Sequence, residues 1–296
     1  MSVVLITGCS SGIGLETAVA FARRGDTTYA TMRDPDRATR LLARAASEGA
    51  TLEVLGLDVT DDASVRAAVR TVEERHGAID VLVNNAGIDA SGPVETTPIG
   101  RARAVLETNL WGPVRTARAA LPAMRGRGAG VIVNVTSMAA RLPGTLYNGF
   151  YAASKHALGA LSESLAWELS PFGIRVVCVE PGFFATEIFS TSTAGTADAS
   201  SPYDADHSWF KQFFVANGEG GGDPAVVAAA VVRAAHDATS ALHTLVGDDA
   251  AAYVDLAARV GSYEGWVAAA SETIESVAGP RPVAERARLE GTPTAP

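Results

Sequence analysis

Cysteine is scarce in these 296 residues, and the two present, Cys9 and Cys178, have no metal-ligand spacing and supply no disulfide framework. The five histidines are scattered and add no metal motif, so no metal is expected. A basic excess is missing as well: the formal net charge is −9, without the Lys/Arg stripe that nucleic-acid binding requires. No hydrophobic run reaches membrane-spanning length, and Met1 to Thr7 leads directly into a strand pattern without a basic n-region. These absences predict a soluble, cytoplasmic protein. No internal repeat competes with the βα alternation described next.

What is present is 47% hydrophobic content, enough for one large core with additions. Val3 to Ile6 has the apolar pattern of a buried parallel strand. Thr7-Gly8-Cys9-Ser10-Ser11-Gly12-Ile13-Gly14 follows and opens a helix. Such a loop lets backbone approach a pyrophosphate, which meets the free N–H groups and positive dipole of the helix start. Its spacing, G-x-x-x-G-x-G, differs from the G-x-G-x-x-G dinucleotide fingerprint.

Thr28 to Met32 is the second predicted strand, and Arg33 stands where an NAD enzyme of this architecture places an acid for the ribose 2′-hydroxyl. Arginine suits a 2′-phosphate, so NADP is favoured over NAD. Asp34, before Pro35, reads as a helix cap. A third strand, Leu52 to Leu57, ends at Asp58, placed to meet an adenine. A fourth, Val81 to Val83, runs into Asn84-Asn85-Ala86-Gly87, whose amides are expected to tie strand ends while Gly87 leaves room for a ribose.

A long helix is predicted from Pro98 to about Met124, interrupted by Pro113, which lacks an N–H and clashes with the Asn109 carbonyl four residues back. The freed carbonyl, a water and Lys155 would then form part of a proton relay; a bend made only for packing is the plainer alternative. Val131 to Val135 delivers Thr136 and Ser137 at its carboxyl end, where ligands sit in open α/β sheets. Tyr151-Ala152-Ala153-Ser154-Lys155 sets a phenol and an ammonium one helical turn apart, so that the Lys155 charge is expected to lower the Tyr151 pKa. A sixth strand, Arg175 to Val179, turns at Glu180-Pro181-Gly182 with Thr186 close behind, and Leu242 to Val246 supplies a seventh.

Together these motifs resemble the short-chain dehydrogenase/reductase family, over roughly Val3 to Thr186. The resemblance rests on Thr7-Gly8-x-x-x-Gly12-x-Gly14, Asn84-Asn85-Ala86-Gly87, Asn109, Ser137 with Tyr151 and Lys155, and Pro181-Gly182 with Thr186. It implies a doubly wound, Rossmann-type parallel α/β sheet of about seven strands and a Ser137-Tyr151-Lys155-Asn109 catalytic set. Ser137 would hold a carbonyl oxygen and Tyr151 exchange the proton. The cofactor residues it implies are Gly8, Ser10, Ser11, Gly12, Ile13, Gly14, Arg33, Asp58, Val59, Asn85, Ala86, Gly87, Tyr151, Lys155, Pro181, Gly182 and Thr186. Cys9-Ser10-Ser11 with Arg33 is most similar to the NADP-using retinol and hydroxysteroid dehydrogenase branch, and Ser11 would join Arg33 at the 2′-phosphate. Two departures stand out: the Ser137 to Tyr151 interval is a residue longer than in many relatives, and Arg141 follows the serine turn with its direction left open.

Residues 1–250 are expected to form the catalytic domain, with a substrate lid at 187–222, a helical extension at 251–278 and a flexible tail at 279–296. Six of the nine phenylalanines fall between Phe183 and Phe214. They either line a bulky apolar substrate site or anchor a lid helix. The function expected is a hydrophobic alcohol interconverted with its ketone or aldehyde. The alternatives are a 3-oxoacyl thioester reductase and a non-catalytic NADP(H)-sensing regulator. Exposed helix faces are expected to join subunits into a homodimer or homotetramer.

Overall fold

Alternation within the strands decides the layering. Val4 and Ile6 point to one face of the sheet and Leu5 to the other; Val133 and Val135 share the first face, Ile132 the second. Such a sheet, apolar on both sides, must be covered by helices on both. The computed structural model describes residues 1–189 and 201–282. They form a seven-stranded, all-parallel sheet ordered β3-β2-β1-β4-β5-β6-β7. The strands are β1 (Val3–Ile6), β2 (Thr27–Met32), β3 (Glu53–Gly56), β4 (Val81–Asn84), β5 (Gly130–Val135), β6 (Ile174–Pro181) and β7 (His243–Val246). The α/β, Rossmann-type architecture expected from the sequence is the one found.

Helices α1 (Gly12–Arg23) and α2 (Thr39–Ser47) cover the first face through Leu15, Val19, Phe21 and Leu41. Helices α3 (Asp62–His76), α4 (Ile99–Leu106), α5 (Gly112–Arg127) and α6 (Gly149–Leu169) follow, and Val69, Leu121 and Leu169 from three of them cover the second face. Asp34 caps as its sequence position predicts, accepting from the Asp36 N–H (3.1 Å), and Asp61 caps α3, accepting from the Ala63 N–H (2.8 Å). The chain passes from β3 back across β1 to β4, so the carboxyl ends of β1 and β4 diverge at the switch point where open sheets bind ligands.

The helix expected from Pro98 to about Met124 is interrupted near Pro113, as the sequence predicts. Between α4 and α5 lies a π-helical turn, Glu107–Trp111, in which Gly112 N–H reaches back to the Glu107 carbonyl, and Pro113 sits in the first turn of α5. Proline tolerates a first turn, where its missing N–H leaves no helical bond broken.

After β6 come α7 (Asp204–Glu219), α8 (Pro224–His236), α9 (Asp248–Val260) and α10 (Tyr263–Ala278). Helix α8 returns to the first face through Val227 and Val231. The expected lid contains a regular 16-residue helix, while residues 190–200 of it lie outside the described residues. The start of the expected tail is tied down: Trp209 Nε1 donates to the Gly279 carbonyl (2.8 Å) and Arg281 makes two bonds to Asp206 (2.7 and 2.6 Å). Residues 283–296 lie outside the described residues. No described helix is long and apolar enough to cross a membrane.

Candidate active site

The glycine loop is shaped by close approach. Gly8 has φ +74°, and a Cβ there would meet Ala86 Cα at 2.7 Å; a Cβ on Gly14 would sit 2.2 Å from the Gly8 carbonyl oxygen. Asn85 holds this packing from the other side, its Nδ2 donating to the carbonyls of Thr7 (2.9 Å) and Gly8 (3.1 Å). Asn84 ties β4 to β5 through Asn134 Oδ1 (2.9 Å). Helix α1 begins at Gly12 with extended Ser11 at its N-cap and no side chain bonded to its first turn, and that turn carries no acid. Open N–H groups at a helix start, reached over side-chain-free backbone, fit a pyrophosphate.

From this loop a cleft of about 640 Å³ runs to the start of α6, and all seventeen residues expected to hold the cofactor line it. Arg33 stands on its wall with Arg37, a second cation that the sequence analysis passed over; four residues apart across a 3₁₀ turn, the two could have been paired by spacing.

A second cavity of about 1020 Å³ adjoins the cleft, lined mostly by apolar side chains including Leu142, Phe183, Phe213, Tyr253, Trp266 and Ile274. Ser137 and Tyr151 line both spaces. Ser137 ends the extended strand and caps the short turn Met138–Ala140, its Oγ accepting from Ala139 N–H (3.1 Å). Thr136 instead turns to β6, bonding Val179. Arg141 closes the turn and is exposed.

Lys155 is buried, donates from Nζ to the Val135 carbonyl (2.9 Å), and stands 5.6 Å from the Tyr151 ring centroid. Burial pulls its pKa down to about 8, against the opposing charges of Asp89 and Cys178. Tyr151 moves the other way. Burial pushes the phenol well above its ordinary value, the Asp89 charge adds to this, and its hydrogen bond with Ser137 opposes it. The expected lowering of Tyr151 by Lys155 is therefore not what this arrangement produces: the ammonium lies against the ring and spends a donor on Val135, while desolvation of the phenolate dominates.

Asn109 is fully buried. Its side chain bonds both backbone groups of Ile88 and donates to Ser154 Oγ (3.0 Å), which in turn donates to the Tyr151 carbonyl (2.7 Å). Two residues the sequence analysis missed also shape the site. Asp89 lines the large cavity and is 7% exposed; an acid so soon after Gly87 was the available signal. Asp249, from α9, accepts the Phe183 N–H (2.6 Å) and lies where a Cβ on Gly182 would fall, 2.2 Å away. Nothing local in the sequence links residues so far apart.

The aromatic segment both faces the cavity and packs as an anchor. Phe210, Phe213 and Phe214 line the cavity and also bury themselves against Ile274 of α10, whereas Trp209 anchors. Phe184, expected with Phe183 as a substrate contact, is turned into the main core and toward the cleft instead.

The short-chain dehydrogenase family model matches residues 2–197. This chain belongs to that family. It is accordingly an NAD(P)-dependent oxidoreductase, of the retinol and hydroxysteroid dehydrogenase-like branch. Human retinol dehydrogenase 8 is 45% identical over 188 residues, 62% of this chain and 59% of that protein. Human 17-beta-hydroxysteroid dehydrogenase type 1 is 46% identical over 187 residues, 61% and 56% of the two chains. The match thus spans less than two thirds of either human protein. A solved short-chain dehydrogenase from Streptomyces avermitilis superposes with TM-score 0.74 at 35% identity, covering 93% of this chain and 96% of that one. A metagenomic short-chain oxidoreductase in complex with NADP (TM-score 0.65, 27% identity, 83% and 96% covered) and a Burkholderia phymatum short-chain dehydrogenase/reductase in complex with NAD (0.76, 26%, 86% and 92%) share the fold.

Proposed function

We propose that the protein uses NADP to interconvert a hydrophobic alcohol with its ketone or aldehyde. The observation carrying this reading is the placement of Ser137 and Tyr151 at the junction of a glycine-loop cleft and a large apolar cavity. NADP(H) held in the cleft supplies or accepts the hydride. Ser137 holds the substrate oxygen, and Tyr151, kept protonated by its burial, gives up a proton to that oxygen in reduction. In oxidation of the alcohol the phenolate of Tyr151 takes the proton, and the Lys155 ammonium offsets part of the cost of burying that phenolate without outweighing it. Lys155, a water and the Asn109 carbonyl carry the proton onward, past the π-turn and the N–H that Pro113 lacks.

Arg33, with Ser11, favours NADP through a 2′-phosphate; Arg37 stands on the same wall. Acyl thioesters on a carrier suit the cavity less well, because Glu95 lines it and Arg281, the cation that lines it, is already paired with Asp206. The α4–α6 surface, where Trp111, Leu161 and Trp167 are exposed, is the proposed subunit contact. The test is oxidation of NADPH and NADH over a panel of hydrophobic ketones, aldehydes and acyl thioesters, with Tyr151→Phe as control. NADPH-dependent turnover of ketones, absent from the variant, is expected; cofactor binding without turnover of any compound would instead favour the sensing regulator.

A further inference from the structure

On the reading given above, hydride crosses where the glycine-loop cleft meets the apolar cavity. Gly182 lines both spaces, as Ser137 and Tyr151 do, and Phe183 beside it lines the apolar one. The turn Pro181-Gly182-Phe183 is therefore one wall of the crossing, and whatever holds that turn sets the room left for the reacting groups. Asp249, in the first turn of α9, holds it. Phe183 N–H donates to Asp249 Oδ2 (2.6 Å), Gly182 N–H donates to the Val246 carbonyl at the end of β7 (2.9 Å), and the Phe183 carbonyl accepts the Gly222 N–H (3.0 Å). The carboxylate is seated between two glycines. A Cβ on Gly182 would lie 2.2 Å from Oδ2, and one on Gly247, at φ +102°, would lie 2.4 Å from Oδ1.

Two glycines and one acid, from segments more than sixty residues apart, thus agree on the placement of a single side chain. One turn further along α9, Tyr253 lines the apolar cavity and packs on Phe183, with ring centroids 6.4 Å apart at 69°. Residues four apart share a helix face. The helix therefore meets the turn twice, through Asp249 on its backbone and through Tyr253 on its ring. Resting on the proposed reaction, we propose that Asp249 is a positioning residue for hydride transfer. It fixes the Gly182–Phe183 backbone at the crossing and ties it to the helix that brings Tyr253 to the substrate wall. It acts through that backbone and not by contact with the reacting atoms. A bond from N–H to a carboxylate is of the strong, charge-assisted kind, and a misplacement of about 1 Å at a reacting centre can cost about 10²-fold in rate.

The test pairs Asp249→Asn, which keeps the side-chain shape and an oxygen for the Phe183 N–H, with Asp249→Ala, which removes the acceptor. In NADPH-dependent ketone reduction, kcat should fall about 10²-fold in Asp249→Ala and stay close to wild type in Asp249→Asn, with NADPH affinity near that of wild type in both. Equal losses in the two variants, or full activity in Asp249→Ala, would overturn the proposal. Fluorescence of bound NADPH reports on the nicotinamide end of the cleft without turnover. A changed emission in Asp249→Ala, restored in Asp249→Asn, is expected. A lowered melting temperature with unchanged emission would mark Asp249 as a tie in the fold alone and overturn the proposal. If Asp249→Ala does not fold, Asp249→Ser, whose shorter side chain withdraws the acceptor, takes its place with the same outcomes. The emission change without turnover of any ketone would uphold the positioning role and refute the proposed reaction instead.

Discussion

Asn109 and Ile88 exchange two hydrogen bonds, Ile88 N–H to Asn109 Oδ1 at 2.9 Å and Asn109 Nδ2 to the Ile88 carbonyl at 2.8 Å. With Nδ2 also donating to Ser154, the amide is spent on backbone and neighbours, and only the Asn109 main chain remains to serve a proton path. Asn109→Ala should leave the Ile88 groups unpaired and cost about 1–3 kcal/mol for each one that stays buried. Thermal unfolding would register this, and a variant as stable as wild type would show that the clamp is dispensable.

Tyr151→Phe removes the hydroxyl and keeps the ring. NADPH affinity, followed by fluorescence titration, should stay near that of wild type while turnover falls about 10²- to 10⁴-fold, the usual worth of a positioned acid. Full activity in the variant would remove Tyr151 from the mechanism.

Lys155 links the site to pH. Its pKa is about 8 in the folded chain against an ordinary 10.5, so between these values the unfolded chain binds more protons and stability rises with pH. The cost of burying the ammonium is fully present below pH 8 and fades toward pH 10.5. Lys155→Met escapes this dependence. Its melting temperature relative to wild type should therefore be more favourable at pH 7 than at pH 10.5, and a difference independent of pH would contradict the shift.

Arg33 and Arg37 share one wall of the cleft. Arg33→Ala should weaken NADPH binding by about 10- to 100-fold, the worth of a charge-assisted bond, and leave NADH binding unchanged. Equal losses for both cofactors would point to damage of the cleft rather than to lost phosphate recognition.

Phe183 and Phe184 are neighbours with opposite surroundings. Phe183→Ala should alter the preference between large and small ketones, because its ring lines the substrate cavity. Phe184→Ala should act on the fold, costing about 3–5 kcal/mol as a buried aromatic lost from the core. Kinetic comparison over a ketone series, together with denaturant unfolding, separates the two.

Legibility in the sequence followed the range of the interactions. Strands with apolar runs, capped helices and the glycine loop are local patterns, and Val4, Asp61 and Gly14 behave as their neighbours in sequence require. Asn109 was legible as a helix break because Pro113 lies four residues away, although its amide clamp on Ile88 was not. Asp249 beneath Gly182, and Arg281 on Asp206, join segments with no common motif. The Tyr151 pKa was misread for a related reason. Helical spacing brings a charge near a phenol, whereas burial, which outweighs it here, depends on everything packed around them.

The bond from Trp209 to the Gly279 carbonyl joins α7 to a segment that leaves the ribosome seventy residues later. Every residue lining the glycine-loop cleft has been synthesised by Phe189, but Trp266, Ile274 and Arg281, which complete the apolar cavity, emerge last. A chain cut short after α8 would carry every residue lining the glycine-loop cleft and an unroofed apolar cavity, its aromatic helix exposed to other nascent chains.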